Sequence, residues 1–113
     1  MCCVMGYFGN VVSMKDFRKN LDRTTSRGPD STRVLELDGA LLGFQRLAIM
    51  GLDDSGMQPF TADGKSLVCN GEIYGIYGDA GTSRPWREVK KELVAAGHAF
   101  KSDSDCEILL PLY

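Results

Sequence analysis

The cysteine at position 2 is the residue in this chain best suited to nucleophilic chemistry. If Met1 is removed, Cys2 carries its own α-amino group, whose ordinary pKa of about 7.7–8 lies near neutral pH. One residue would then supply both thiol and base, so catalysis would need no histidine partner. Taken alone, a cysteine near a terminus is usually only a small, soft side chain without a task. Cys2 and Cys3 could also be S-acylated as a membrane anchor, which the absence of a following polybasic stretch disfavours.

The Asn70-Gly71 pair has two interpretations. The Asn70 side-chain amide and the Gly71 backbone N–H could form an oxyanion hole that stabilises developing negative charge. The same dipeptide is typical of a type I′ turn, here between predicted strands at 66–69 and 72–74. Spacing alone favours the hairpin.

Three charged sites also have structural alternatives. Residues 27–30 (Arg-Gly-Pro-Asp) could be a helix stop with a turn, and Arg46 could be the polar end of a strand. Asp105 could be a carboxylate favoured by the positive end of a helix. None of these sites indicates a function by itself.

Composition narrows the class of protein. The chain has 113 residues, 43% hydrophobic and 25% charged, which predicts one soluble globular domain at most. Its net charge of -2 is spread along the chain, so no basic stripe exists to bind nucleic acid. No apolar run approaches the ~20 residues that span a bilayer, and the start Met1-Cys2-Cys3-Val4 lacks the charged and hydrophobic regions expected of a signal peptide. We therefore expect no membrane or nucleic-acid partner and a cytoplasmic location.

The cysteines and the histidine predict neither disulfides nor a metal site. The four cysteines are too few and too irregularly spaced for a disulfide scaffold. His98 is the only histidine, and Cys2 and Cys3 are adjacent, so no recognisable zinc spacing occurs.

The first half of the chain predicts a strand, a helix and a hairpin. Residues 3–8 are apolar and favour a strand. Ser13, with Asp16 three positions later, predicts a helix start, and Gly28-Pro29 its stop. Strands at 34–37 and 41–49 are joined by Asp38-Gly39, a turn signal. Residues 51–65 are rich in breakers and predict a loop.

The second half predicts a short strand between two helices. Residues 66–74 favour a strand and 75–83 a loop. Ser83 as N-cap predicts a helix that ends at Gly97, followed by a strand around 99–100. Ser104 and Glu107 match a capping box before a last helix. The order β-α-β-β-β-α-β-α favours the α+β class.

Six motifs, taken in order, resemble those of class II glutamine amidotransferase domains. The Arg-Gly-Pro-Asp and Asn-Gly-Glu-Ile-Tyr pieces are similar to those of asparagine synthetases in particular. The resemblance runs over the whole chain, with departures at Cys3, Gln45 and Gly75. The motifs are Met1-Cys2, residues 27–31 (Arg-Gly-Pro-Asp-Ser), 43–49 (Gly-Phe-Gln-Arg-Leu-Ala-Ile), 56–59 (Gly-Met-Gln-Pro), 70–74 (Asn-Gly-Glu-Ile-Tyr) and 104–107 (Ser-Asp-Cys-Glu).

The resemblance implies a fold and an active site. The fold would be the first part of the four-layer α/β/β/α sandwich of N-terminal-nucleophile hydrolases. Cys2 would attack the side-chain amide of glutamine, and Asn70 and Gly71 would form the oxyanion hole. Arg46 would bind the substrate α-carboxylate and Asp105 the α-ammonium. The pocket would be lined by the backbone of Arg46, Leu47, Ala48, Ile49 and Met50, together with Asn70, Gly71 and Glu72.

The resemblance also implies the partners. Residues 1–113 would be a partial glutaminase domain whose hydrolysis of glutamine needs neither cofactor nor metal. ATP and Mg would belong to a synthetase domain of the parent chain, whose Ser-Gly-Gly-x-Asp-Ser motif does not occur here. Glutamine and that domain are the expected partners, and a homo-oligomer stays open. Two rivals stay open as well: an amidotransferase with another acceptor, and a degenerate module without activity.

Overall fold

The computed structural model of the chain describes residues 1–49, 53–78 and 81–113. These residues form short helices and antiparallel strands, which confirms the α+β class. The strands are β1 Cys3–Phe8, β2 Ser31–Leu37, β3 Ala40–Arg46, β4 Phe60–Ala62, β5 Lys65–Leu67, β6 Gly75–Tyr77 and β7 Ser83–Pro85; the helices are α1 Met14–Asp22, α2 Trp86–Ala95 and α3 Leu109–Leu112. Short 3₁₀ segments occur at Thr25–Arg27, Asp54–Gly56 and Asp105–Ile108.

The largest sheet has the order β1-β3-β2, so β3 is its central strand. The predicted first strand and the hairpin turn at Asp38-Gly39 are confirmed. The second hairpin strand ends at Arg46 rather than at the predicted Ile49. All residues of β3 are buried. Strands β1 and β2 flank its edges, and α1 packs on the face that carries Leu41.

Helix α1 begins where its sequence predicts. The Ser13 Oγ accepts a hydrogen bond from the Asp16 N–H at 3.1 Å and donates to the Asp16 carboxylate at 2.7 Å. Phe17 and Leu21 are buried against the sheet, where Gly43 makes room for them: a Cβ on Gly43 would lie 2.8 Å from Leu21 Cδ2. The first core cluster therefore lies between α1 and the sheet.

Helix α1 ends earlier than predicted. Its last residue is Asp22, and a 3₁₀ turn over Thr25–Arg27 separates it from Gly28. The Thr24 hydroxyl donates to the Leu21 carbonyl, at 2.7 Å, and lies 2.8 Å from the Gln45 carboxamide oxygen. These bonds tie the end of the helix to β3 before Gly28 is reached.

The predicted loop at 51–65 is wrong in its second part. Strands β4 and β5 pair through Asp63-Gly64, whose φ values of 51° and 74° are those of a type I′ turn. The prediction counted this dipeptide among the loop breakers, although it is a hairpin turn signal. Residues 51 and 52 lie outside the described residues.

The hairpin predicted at Asn70-Gly71 is also wrong. Strand β5 ends at Leu67, and neither Asn70 nor Gly71 has the positive φ that a type I′ turn requires. A hairpin forms later instead, where β6 and β7 pair at a site predicted to be a loop. Residues 79 and 80 lie outside the described residues.

Helix α2 begins at Trp86 with Pro85 as its N-cap. The predicted cap Ser83 is wrong because that residue belongs to β7. Gly97 follows the helix with a φ of 98°, in agreement with the predicted stop. The strand predicted around residues 99–100 does not form.

Half of the capping box predicted at Ser104 is present. The Ser104 hydroxyl accepts from the Cys106 N–H at 3.3 Å. Glu107 does not return to Ser104; its buried carboxylate accepts from the N–H groups of Lys101 and Ser102 at 2.8 and 2.9 Å. Glu107 therefore stabilises the bend at Lys101 and Ser102 that precedes Asp105.

A second core cluster lies between β4, β5 and α3. It contains Phe60, Cys106 and Leu110, with Cys69 and Ile73 packed against it. Two hairpin sheets accompany the three-stranded sheet in the described residues. None of the described helices has the length and apolar character needed to cross a membrane.

Candidate active site

Cys2 lies at the end of the central strand. Strand β1 pairs Cys3 with Gln45, which brings Cys2 beside the residues that follow β3. The Leu47 N–H donates to the Cys2 Sγ at 3.3 Å, and the thiol lies 3.7 Å from the Leu47 carbonyl oxygen. The side chain is partly buried. The thiol is therefore held next to the Leu47 backbone, which belongs to the predicted pocket lining.

Residues 28–30 fix that backbone from the other side. The Asp30 N–H donates to the Arg46 carbonyl at 3.0 Å, and the Asp30 carboxylate accepts from the Ala48 N–H at 2.7 Å. A Cβ on Gly28 would lie 2.3 Å from the Gln45 carbonyl oxygen, so the segment packs backbone to backbone against β3. A helix stop does not account for these contacts. Gly28 and Asp30 are positioning residues that the sequence did not predict.

The Arg46 guanidinium is buried, with 7% of the residue exposed. Its Nη1 donates to the Asp53 carbonyl at 2.6 Å, and a Cβ on Gly56 would lie 3.1 Å from Nη2. Arg46 is thus more than the polar end of a strand, because burying a cation without compensating contacts is costly. Its charge lies at the same end of β3 as the Cys2 thiol.

A second group of contacts holds residues 69–73 at alternate positions. The buried Gln58 carboxamide accepts from the Cys69 N–H at 2.6 Å and donates to the Cys69 carbonyl at 3.0 Å. The Cys106 thiol donates to the Gly71 carbonyl at 3.4 Å. The Asp105 carboxylate accepts from the Ile73 N–H. The backbone is therefore fixed on both sides of Asn70 and again beyond Glu72.

The residues between those anchors are accessible. Asn70, Gly71 and Glu72 are exposed, and a Cβ on Gly71 would have no atom within 4 Å. Within the described part of the chain, no hydrogen bond occupies the Asn70 side-chain amide. The Glu72 carboxylate accepts from the Tyr74 hydroxyl at 2.7 Å and raises the pKa of that phenol. The Asn70 amide can therefore reach a ligand without breaking an internal bond.

The Cys106 thiol remains protonated because of its surroundings. Burial raises the pKa of Cys106 far above its ordinary value, and the neighbouring Cys69 thiol and Asp105 carboxylate raise it further. A neutral thiol is the form that can donate to the Gly71 carbonyl. Cys106 is thus a structural donor here, whereas Cys2 lies at the predicted site.

The segment 53–58 connects the two groups. At its start, the Asp53 carbonyl accepts a hydrogen bond from the Arg46 guanidinium. Further along, the Met57 carbonyl accepts one from Arg33 Nη1 at 3.1 Å. Its end carries Gln58. Among the described residues, no hydrogen bond links Cys2 directly to Asn70.

The predicted site residues therefore form two groups. The first group lies at the end of β3, where Leu47 contacts Cys2 between Arg46 and Ala48, and Ile49 beyond them is 75% exposed. The second group lies around Asp105 and consists of Asn70, Gly71 and Glu72. Met50 lies outside the described residues.

Two surface cavities lie away from these groups, and in the described residues no three Cys, His, Asp or Glu side chains cluster as metal ligands would. One cavity lies between the β4–β5 hairpin and α3, and the other lies along α2. Their lining residues include His98, Phe100 and Glu107 in the first and Trp86, Lys90 and Asp103 in the second.

Residues 1–113 match the model of the glutamine amidotransferase domain over their whole length. The chain belongs to this family. It is 35% identical over 98% of its length to a probable glutamine-hydrolysing asparagine synthetase of Acanthamoeba polyphaga mimivirus, and 32% identical over its full length to one of Dictyostelium discoideum. It is also 33% identical over 87% of its length to the amidase chyE of Penicillium rubens. The resemblance to glutamine-hydrolysing asparagine synthetases is thereby confirmed.

The chain covers only part of each relative. It spans 19% and 20% of the two asparagine synthetases and 13% of the amidase. The matched region is thus about a fifth of the length of the asparagine synthetases.

Proposed function

We propose that this domain hydrolyses glutamine to glutamate and ammonia for asparagine synthesis, with Cys2 as the nucleophile. The observation that carries the proposal is the position of the Cys2 thiol, 3.3 Å from the Leu47 N–H at the end of β3 and near the buried Arg46. Family membership and the relatives' names support glutamine as the substrate. The partial burial of Cys2 suits a thiol that must be both held and reached.

Before the enzyme can act, Met1 is removed. This residue is 72% exposed and therefore accessible to an aminopeptidase. The freed α-amino group of Cys2 takes the thiol proton, and the sulfur attacks the side-chain amide carbon of glutamine. The carbonyl oxygen takes the negative charge of the tetrahedral intermediate. When this collapses, the C–N bond breaks, the α-ammonium returns its proton, and ammonia leaves. Water then hydrolyses the glutamyl thioester to glutamate and regenerates the thiol.

The remaining residues bind charge. The Asn70 amide and the Gly71 N–H donate to the oxyanion. Arg46 attracts the α-carboxylate of glutamine, and Asp105 attracts its α-ammonium. The pocket is completed by the backbone of Leu47 to Met50 and by Glu72.

The proposed fold is the four-layer sandwich of N-terminal-nucleophile hydrolases. Its support is the face of the three-stranded sheet opposite α1, on which Val4, Phe8 and Leu37 are 40%, 80% and 38% exposed. Apolar strand faces of this kind are normally covered by a second sheet.

A synthetase domain of the parent protein would receive the ammonia and use ATP and Mg. The cytoplasm stays the expected compartment.

A second candidate is an amidotransferase or amidase with another acceptor or substrate. The similarity to the amidase chyE favours it, because this domain type also occurs in a relative that is not named an asparagine synthetase. The two candidates share the Cys2 chemistry and differ in what consumes the product.

The test uses two adjacent cysteines in the complete protein. Cys2→Ala should abolish glutamine hydrolysis and leave ammonia-dependent asparagine synthesis intact. Cys3→Ala is the matched control, because that thiol contacts Thr24 at 3.2 Å on the other side of the strand, and it should retain hydrolysis. Hydrolysis by the Cys2→Ala protein would overturn the proposal.

Two further measurements separate the alternatives. Intact mass should show that Met1 is absent, since a retained methionine would block the proposed base. Hydrolysis without asparagine synthesis would favour another acceptor, and a wild-type protein without hydrolysis would identify a degenerate module.

A further inference from the structure

The carboxamide of Gln58 forms a two-point contact with the peptide groups that precede the proposed oxyanion hole. It accepts from the Cys69 N–H at 2.6 Å and donates to the Cys69 carbonyl at 3.0 Å. Gln58 is 5% exposed, so water cannot easily replace either bond. This pairing reproduces what a neighbouring strand would provide at Cys69, at a place where the chain has left β5 and has no strand partner.

Asn70 depends on this contact more than a strand residue would. Its own side chain is exposed and has no hydrogen bond within the described residues, so its position follows from the backbone on either side. The Gln58 carboxamide holds that backbone at Cys69, and the Cys106 thiol holds it at the Gly71 carbonyl, 3.4 Å away. Loss of the first contact would free the peptide that carries Asn70 while leaving the second in place.

The segment that carries Gln58 also contacts Arg46. The Asp53 carbonyl accepts from the Arg46 guanidinium at 2.6 Å, and Gly56 lies directly beside the same group. One short segment therefore touches the proposed carboxylate-binding residue at its start and the proposed oxyanion-hole backbone at its end.

We propose that Gln58 is a positioning residue for the oxyanion that forms when Cys2 attacks the substrate. It places the Asn70 amide and the Gly71 N–H at this oxyanion, and it does so from the segment that also contacts Arg46. The inference rests on the proposed glutaminase function. Because an oxyanion hole acts on the tetrahedral intermediate and not on bound substrate, Gln58 affects kcat much more than KM. It does not touch substrate and is not a nucleophile or base.

The experiment compares Gln58→Met with Gln45→Met in the complete protein. Gln45 is a matched control: it is fully buried and lies on the α1 side of β3. Its carboxamide also makes two polar contacts: its oxygen lies 2.8 Å from the Thr24 hydroxyl, and its NH₂ donates to the Thr25 hydroxyl at 3.1 Å. Both variants lose a buried carboxamide of the same size. Unfolding by urea measures how much stability each one loses.

Four binding and kinetic readouts separate positioning from a structural role. An aldehyde analogue of glutamine forms a thiohemiacetal with Cys2 and so requires the oxyanion hole, whereas glutamate requires only Arg46 and Asp105. Gln58→Met should weaken aldehyde binding roughly 10–100-fold and lower kcat similarly, which is less than the loss of an oxyanion donor itself. Glutamate affinity and the rate at which iodoacetamide alkylates Cys2 should change less than about threefold, a threshold well below the effects of direct substrate contacts.

Gln58→Glu provides a conservative variant. A carboxylate can still accept from the Cys69 N–H but cannot donate to its carbonyl, so its defect should resemble that of Gln58→Met. Equal losses of aldehyde and glutamate binding in both Gln58 variants, or a Gln45→Met protein with the same selective defect, would overturn the inference. So would normal aldehyde binding by Gln58→Met. A wild-type protein that neither hydrolyses glutamine nor binds the aldehyde would overturn the proposed function instead, and the inference with it.

Discussion

The packing of Gly28 against β3 leads to a sharp prediction for Gly28→Ala. The φ of Gly28 is -148°, an extended conformation open to any residue, so the requirement for glycine comes from contact alone. A Cβ there would lie 2.3 Å from the Gln45 carbonyl oxygen and 2.4 Å from its carbon. Ordinary van der Waals contact begins at 3.4 Å. The conflict involves the backbone of the central strand, which cannot rotate away as a side chain can.

The magnitude follows from two losses. Overpacking typically costs about 1–3 kcal/mol, and a backbone neighbour places Gly28→Ala at the upper end of that range. Displacing the segment would also break the bonds from Asp30 to Arg46 and Ala48, each contributing about 1 kcal/mol. We therefore expect the free energy of unfolding to fall by about 3–5 kcal/mol.

Urea unfolding of the complete protein measures this change, with Gly71→Ala as the matched control. A Cβ at position 71 would meet no atom within 4 Å, so that variant should change stability by less than about 0.5 kcal/mol. Asp30→Ala isolates the carboxylate and should lose about 1–2 kcal/mol. A Gly28→Ala protein within 1 kcal/mol of wild type would refute the argument, because ~1 kcal/mol is below the usual cost of overpacking.

Three further predictions concern the second group of site residues and the neighbouring Cys106. Asn70→Ala should lower kcat roughly 10²–10³-fold without changing stability, because its exposed amide is the proposed oxyanion donor. Steady-state hydrolysis measures kcat, and urea unfolding measures stability. Asp105→Asn should raise KM with near-normal kcat, since asparagine keeps an acceptor for the Ile73 N–H, whereas Asp105→Ala should lower kcat as well. Because the Cys106 pKa is raised above its ordinary 9.0, only the unfolded thiol ionises as pH first exceeds 9.0. Stability should then fall by up to about 1.4 kcal/mol per pH unit, and Cys106→Ala should lack this component.

Each of these predictions has a contrary outcome. Unchanged hydrolysis by Asn70→Ala would remove the oxyanion role from its side chain. A collapse of kcat with constant KM in Asp105→Asn would mean that its charge does more than bind substrate. Identical pH profiles of unfolding for wild type and Cys106→Ala would mean that this thiol ionises equally in the folded and unfolded protein.

Local signals predicted the elements whose stability is decided within a few residues. The Ser13 cap and the Asp38-Gly39 turn need only their immediate neighbours, and both formed as expected. Strand pairing at longer range was harder. Asp63-Gly64 is as good a turn signal as Asp38-Gly39, but the short flanking strands were hidden among breakers. The opposite error occurred at Asn70-Gly71. This dipeptide is a good turn signal, but no described strands flank it, so no hairpin forms there.

The motifs contain the candidate site residues, which the structure brings into two groups, but the motifs do not predict the contacts that hold these residues. Gln58 lies 11 residues before Cys69, and Asp30 lies 18 residues before Ala48. Contacts at such separations follow from how the segments fold back on each other, which neither periodicity nor capping rules specify. Both residues nevertheless belong to motifs recognised in the sequence, the Gly-Met-Gln-Pro and Arg-Gly-Pro-Asp pieces. The polar side chains of Gln58 and Asp30 within these motifs were the signal that could have identified the two residues.

The distribution of the site over two hydrophobic clusters has a physical consequence. Cys2 and Arg46 lie on the sheet that packs on α1, whereas Cys69 and Ile73, which flank Asn70 to Glu72, pack on the cluster of Phe60 and Leu110. The relative position of the Cys2 thiol and the proposed oxyanion donors then depends on the segment 53–58, because its bonds to Arg46 and Cys69 join one cluster to the other. Reaction geometry tolerates errors of only about 0.5 Å. A substitution in this segment can therefore impair catalysis through misplacement of the two groups, even when each cluster keeps its own packing.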